Sequence, residues 1–350
     1  MSVTSRRHFT SIDALRGFAA LSVVLFHLGG AGLPKLSTPL TTSLTAWGWT
    51  GVEVFFVISG FVIPFVMLNG KYHWRDGGNF LARRFIRIWP PSAILIALTV
   101  LQYAVVNRLG QGEPGGWTNL SAERVVANLS YAVPFTNQSW LNGILWTLAV
   151  EFQFYLALAL IFPLLMRHWA WIAATGAASL VTALLPGAEQ ALFLKNAIYF
   201  AMGGVALLYR EERIGRPAML ALVALMGIVA TAQIGLLPTG FAASTALIIA
   251  LLPLRNRLFI FLGTISYSLY LTHILIASTA EFLLLRMFNP VTEPARLAAQ
   301  FACLGAAIAG AWLFYWLVER HFVTWSQRFA RQTAPKPHAQ DEATPPSQTT

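Results

Sequence analysis

The chemistry of this chain begins in the stretch SIDALRGFAALSVVLFH, residues 11–27, where Asp13, Arg16 and His27 lie in or beside an apolar run. Ionisable groups in such a run are expensive to place in a membrane and mark function. Arg16 and His27 are eleven residues apart. In a helix that separation is three turns and about 20°, so the two share one face about 16 Å apart along the axis. Three more ionisable groups sit inside apolar runs: Glu53 in GVEVFFVISGF, Glu151 in LWTLAVEFQFY and His273 in SYSLYLTHI. A histidine oriented by a carboxylate takes a proton from an alcohol, which is what acyl or phosphoryl transfer to a hydroxyl requires. Two His and two Glu also match a zinc donor set. No close-spaced ligand pair such as HxxxH occurs, and no metal is expected. Arg84 and Arg87 in RRFIRIWP share a helix face if that segment is helical, and guanidinium forks suit phosphate. The small pair Ser59-Gly60 permits close approach of either a neighbouring helix or a ligand.

The elements that must position these residues are membrane spans. The 350 residues are 56% hydrophobic and only 11% charged, against about 25% charged in soluble domains. Windows of about 20 apolar residues give an all-α polytopic protein of about ten spans. Their limits are 14–33, 47–68, 88–106, 144–166, 168–186, 191–209, 216–236, 238–253, 258–280 and 296–318. An even number puts both termini on one side. Of the 24 Lys and Arg, 17 then fall on the side of the termini and 6 on the other, with Arg16 at the inner end of the first span, which predicts cytoplasmic termini. The net charge of +10 is thus a topological bias and does not indicate nucleic-acid binding. Rise per residue then sets depth: His27, Glu53, Glu151 and His273 all fall about 9–10 Å below the outer edge, in one layer. The SRRHFT start reads as the positive flank of the first span, and not as a removed twin-arginine signal. The single cysteine, Cys303, excludes a disulfide framework. Residues 1–331 read as one integral membrane domain. Residues 332–350, rich in Pro, Thr and Gln, read as a disordered cytoplasmic tail.

Six segments in order, IDALRGFAALSVVLFH, GVEVFFVISGF, RRFIRIWP, LWTLAVEFQFY, GTISYSLYLTHI and LVERHF, resemble the membrane-bound acyltransferase-3 family, over roughly residues 10–325. That family includes O-antigen, Nod-factor, peptidoglycan and exopolysaccharide O-acylating proteins. The resemblance implies transfer of an acyl group, acetyl first, from cytoplasmic acyl-CoA to a hydroxyl of a cell-surface or secreted glycan or its lipid-linked repeat unit. It implies the bacterial inner membrane, with membrane lipid and polysaccharide-assembly proteins as partners. It places the family's Arg-x10-His on Arg16 and His27, and its donor-meeting Arg-x-x-Arg on Arg84 and Arg87. Its Ser-Gly-Phe falls on Ser59, Gly60 and Phe61, and its helix-four carboxylate on Glu151. His27 is then expected to be the general base, oriented by Glu151, with Arg16 guiding the donor at the inner mouth. Glu53, His273 and Asp13 are expected in support. The family's Ser-Leu-Ser-Val-Glu reads Thr147-Leu148-Ala149-Val150-Glu151 here, and its usual Pro after Glu-Arg is His321. No SGNH hydrolase-like segment follows the core, which favours a polysaccharide or lipid-linked repeat over peptidoglycan. Two rival classes remain at this level: a transporter using His and Glu as a proton relay, and a structural subunit of an export machine.

Overall fold

The computed structural model describes residues 10–33, 35–108, 120–167 and 193–332. The expected fifth span (168–186), the Arg6-Arg7 flank and residues 333–350 of the expected tail lie outside the described residues. Among the described residues all regular structure is helical. Seven helices are long and apolar enough to cross a membrane, and Leu236–Leu251 is a shorter apolar helix. The chain is a multi-pass membrane protein.

Helix α1 (Thr10–Phe26) runs into a five-residue π-turn, His27–Ala31, and is followed by α2 (Pro39–Thr45) and α3 (Gly51–Asn69). Gly30 stands inside the π-turn with φ 141°, a conformation glycine adopts without steric cost. Wider turns of this kind free backbone carbonyls. Here Gln300 Nε2 donates to Leu28 O at 3.0 Å and Thr42 Oγ1 to Gly29 O at 2.7 Å. The end of α1 is therefore pinned to two other elements at the residue next to His27.

Helix α3 is central. It packs on α1, on α7 (Phe193–Arg210) and on α9 (Leu236–Leu251). A Cβ on Gly60 would lie 2.0 Å from Phe200 O, and one on Gly203 would lie 2.1 Å from Val57 O. The two backbones thus touch, which only glycine at both positions allows.

Helix α4 is one continuous element, Gly77–Arg108, of 32 residues, about 48 Å long. The helix begins well before the expected third span, 88–106, and the segment of Arg84 and Arg87 is helical, the condition under which they share a face. The basic residues belong to the helix, which carries them along the bundle wall. Pro90 and Pro91 lie inside it and remove two backbone donors. Hydroxyls bond to the two carbonyls just before the prolines: Tyr267 donates to Ile88 O at 2.7 Å and Ser92 to Trp89 O at 2.8 Å. After α5 (Ala122–Leu129), α6 covers Leu145–Arg167.

The ninth expected span is also corrected. Residues 257–288 form two helices, α10 (Arg257–Thr264) and α11 (Ser266–Phe288), broken at Ile265, and α11 makes the crossing. Gly263 at the end of α10 rests on the Asp13 backbone, where a Cβ would lie 2.0 Å from Asp13 O, and Ser266 Oγ bonds back to Gly263 O at 2.8 Å. α8 (Arg216–Gln233) lies against α7 and α9, and α12 (Glu293–Phe314) packs along α11. A second π-turn, Tyr315–Glu319, leads into α13 (Arg320–Gln332), which lies against α4.

Candidate active site

A cavity of about 130 Å³ opens between α1, α3, α4, α6 and α11. Its lining includes Arg16, Ser59, Arg84, Arg87, Glu151 and Tyr155. Residues of α3 from Val52 to Ile63 contribute to it, so it follows that helix for about 16 Å. Pockets that hold drug-sized ligands measure about 300–1,000 Å³. At about 130 Å³ this one lies below that range.

Two of its walls carry guanidinium groups, α1 with Arg16 and α4 with Arg84 and Arg87, and α6 carries the Glu151 carboxylate. Among the described residues, Arg16, Arg84 and Arg87 form no hydrogen bond and no ion pair. Arg84 lies over the rings of Tyr155 and Phe80, with its guanidinium carbon 5.4 and 5.8 Å from their centroids. Tyr155 in turn donates a short hydrogen bond to Glu151 Oε1, and Ser59 Oγ approaches the same oxygen at 3.4 Å. Glu151, Tyr155 and Arg84 are thus one connected unit. Glu319 on the second π-turn accepts from Ser268 N at 3.1 Å and Ser268 Oγ at 2.5 Å, and lies within electrostatic reach of Arg16 and Arg87. An excess of cationic groups with donors to spare is a site built for anionic oxygens.

At the end of the cavity nearest the His27 end of α1, Tyr270 lines it and shares a hydrogen bond with Thr147 Oγ1 at 2.8 Å. One helical turn further along α11, buried His273 places Nε2 3.2 Å from His27 Nδ1. The two rings are 5.0 Å apart, centroid to centroid. His27 is half-buried.

The sequence-derived residues therefore divide. Arg16, Ser59, Arg84, Arg87 and Glu151 come together around one cavity. His27 and His273 pair beyond its Tyr270 end. Four placements differ from the expectation. Glu151 makes no hydrogen bond to His27; its partners are Tyr155 and Ser59. Equal depth on two helices does not mean equal direction around them. Gly60 does not line the cavity; it is the contact of α3 with α7. Glu53 is buried, lines no part of the cavity, and leaves Oε2 without a hydrogen-bond partner. Asp13 sits at the α1–α10 crossing, off the cavity lining. Sequence reasoning missed Tyr155 and Glu319. Tyr155 follows Glu151 by four residues, the spacing that puts two side chains on one helix face. Glu319 is the carboxylate of the closing LVERHF segment.

Among the described residues the structure is a helical membrane bundle with a cavity that carries three arginines and a carboxylate, and a histidine pair lies one helical turn beyond Tyr270. The chain belongs to the acyltransferase-3 family: the family's model, described as an acyltransferase domain, matches residues 9–316. It is similar to O-acetyltransferase OatA of Staphylococcus aureus, 28% identical over 172 residues, which are 47% of this chain and 26% of that protein. It is also similar to peptidoglycan O-acetyltransferase OatA of Listeria monocytogenes, 30% identical over 169 residues, 43% of this chain and 24% of that protein. The matched stretch is about a quarter of those curated relatives' length. No solved structure matches.

Proposed function

We propose that the chain is a membrane O-acetyltransferase. It takes an acetyl group from acyl-CoA on the cytoplasmic side and transfers it to a hydroxyl of a polysaccharide, or of its lipid-linked repeat unit, on the outer side. Family membership and the relatives' names support acetyl transfer to a glycan, peptidoglycan being the acceptor those names give. The observation that carries the reading is the path between two chemistries. Three arginines with unspent donors line a cavity that runs about 16 Å along α3 and ends one helical turn from a histidine pair.

In this reading the nucleotide stays outside, at the mouth, and the pantetheine arm threads inward. Arg16, Arg84 and Arg87 meet the donor's anionic oxygens. Tyr155 holds Arg84 in place and is itself anchored by Glu151, so the carboxylate positions the donor-binding arginine. His27 is the general base for the acceptor hydroxyl. The topology that goes with this chemistry is about ten spans in the bacterial inner membrane, with residues 1–331 as one domain and both termini, including the 332–350 tail, in the cytoplasm. Polysaccharide-assembly proteins supply the acceptor.

The test is mass analysis of surface and secreted glycans from cells with the gene, without it, and with Arg84→Ala in its place. The expected result is an acetyl mass that disappears on deletion and stays absent or much reduced with Arg84→Ala. Identical acetylation in all three would overturn the reading.

A further inference from the structure

The contacts of the histidine pair determine where the protons sit, and this adds to the reading above, on which it rests. His273 Nδ1 faces only carbonyls, Tyr270 O at 2.8 Å and Leu269 O at 3.2 Å. A carbonyl accepts and cannot donate, so His273 Nδ1 carries the hydrogen. A neutral imidazole has one N–H, so His273 Nε2 is a bare acceptor. His27 Nδ1 lies between that bare nitrogen, at 3.2 Å, and Val23 O, at 2.9 Å. Both are acceptors, so His27 Nδ1 carries the hydrogen and shares it between them. His27 Nε2 is left with its lone pair.

We propose that His273 is the positioning residue for His27, holding it as the Nδ1–H tautomer with Nε2 as the reacting nitrogen. In serine hydrolases a buried carboxylate fills this role, fixing tautomer and ring orientation through Nδ1–H. Here a neutral imidazole does so, inside an apolar bundle where a second buried charge is costly. Two local features agree with this. The π-turn begins at His27 and is tied down by Gln300 and Thr42 through the next two carbonyls. A Cβ on Gly32 would lie 3.2 Å from His27 Cδ2, the ring atom bonded to Nε2, so the glycine keeps that edge of the ring clear.

The transfer then balances as follows. The acceptor O–H breaks and its proton goes to His27 Nε2. The oxygen forms a bond to the thioester carbonyl carbon, and the C–S bond breaks. The CoA thiolate takes the proton back from Nε2. His27 ends as it began. While it is an imidazolium, its Nδ1–H remains bonded to Val23 O and His273 Nε2.

The decisive experiment is nitrogen NMR of the full-length protein with ¹⁵N-labelled histidine rings, using His27→Gln to assign the His27 signals. The expected result for neutral His27 is a protonated Nδ1 and an unprotonated Nε2. A protonated Nε2 overturns the inference. The tautomer is read without any reaction. An Nε2–H in a protein that does transfer acetyl groups sinks this inference and leaves the function standing; an Nδ1–H in a protein that transfers none does the reverse. Kinetics give a second arm. His273→Phe keeps the ring volume and removes the acceptor, and kcat should fall about 10–100-fold with the acetyl-CoA KM unchanged. His273→Gln returns a carbonyl acceptor near the Nε2 position and should retain most of kcat. Wild-type kcat in His273→Phe, or equal losses in both variants, would overturn the positioning role.

Discussion

Replacing Gly60 by alanine separates the two roles that a Ser-Gly pair can have. The added Cβ would lie 2.0 Å from Phe200 O and 2.7 Å from two further atoms of the Phe200 backbone. An ordinary C···O contact is about 3.3 Å or more, so α3 and α7 must move apart by roughly 1.3 Å along that line. The obstacle is backbone, and no rotamer change relieves it. Overpacking of this kind costs typically about 1–3 kcal/mol. The Gly203–Val57 contact is lost with it, which places Gly60→Ala at the upper end of that range. With about 2–4 °C per kcal/mol for chains of 150–250 residues, the melting temperature should fall by several degrees. Ser59→Ala is the control. It removes only a 3.4 Å hydrogen bond to Glu151, near the limit of what counts as a bond, and should leave the melting temperature within about 0.5 kcal/mol equivalent of wild type. Its effect should be on donor KM. Thermal unfolding of the purified protein followed by tryptophan fluorescence, alongside acetyl-CoA titration, reads both. A Gly60→Ala protein with wild-type stability and a raised KM would show that Gly60 contacts the donor, and would refute the packing argument.

Arg84→Ala should raise the donor KM by about 10–150-fold, the equivalent of one charge-assisted hydrogen bond of about 1.5–3 kcal/mol. Arg84→Lys should recover only part of it, since the fork and the stacking on Tyr155 are lost. Tyr155→Phe and Glu151→Ala both break the hydrogen bond that anchors the Arg84 platform. Steady-state kinetics should show KM rising more than kcat falls. A fall in kcat at unchanged KM would restore Glu151 as the partner of His27. Replacing Thr42 by valine leaves the Gly29 carbonyl without its side-chain donor, at a cost of about 1–3 kcal/mol for an unsatisfied buried group, visible as a lower melting temperature.

Much of the site was legible because intramembrane charges are rare and each one is informative. Arg16, Glu151, His27 and His273 stand out from apolar runs on type alone. Rise per residue placed them by depth, and depth is a single coordinate. It cannot say that Glu151 turns toward Tyr155 while His27, near the same level, turns toward His273. The direction around a helix depends on neighbours from distant segments. Arg84 and Arg87 were recognised as anion ligands but left outside the third span, because a hydropathy window discounts charged residues. Helix α4 begins at Gly77, well before the apolar part, and its length lets arginines reach the chamber. The break at Ile265 was hidden for the opposite reason: GTIS is uncharged and small enough to pass as mid-span. Gly60 carried two readings in sequence, and only the position of the Phe200 backbone decides between them.

The central claim is that this chain joins a cytoplasmic acyl donor to an outer hydroxyl through His27. The direct measurement is acetyl transfer by the purified full-length protein in proteoliposomes. Radiolabelled acetyl-CoA is the donor and the glycan fraction of cells lacking the gene is the acceptor, with free thiol release monitored in parallel. Wild-type protein should release thiol and label the glycan in equal amounts. His27→Ala, shown to be inserted and folded, should do neither above background. Labelling of the glycan by His27→Ala at the wild-type rate would contradict the account.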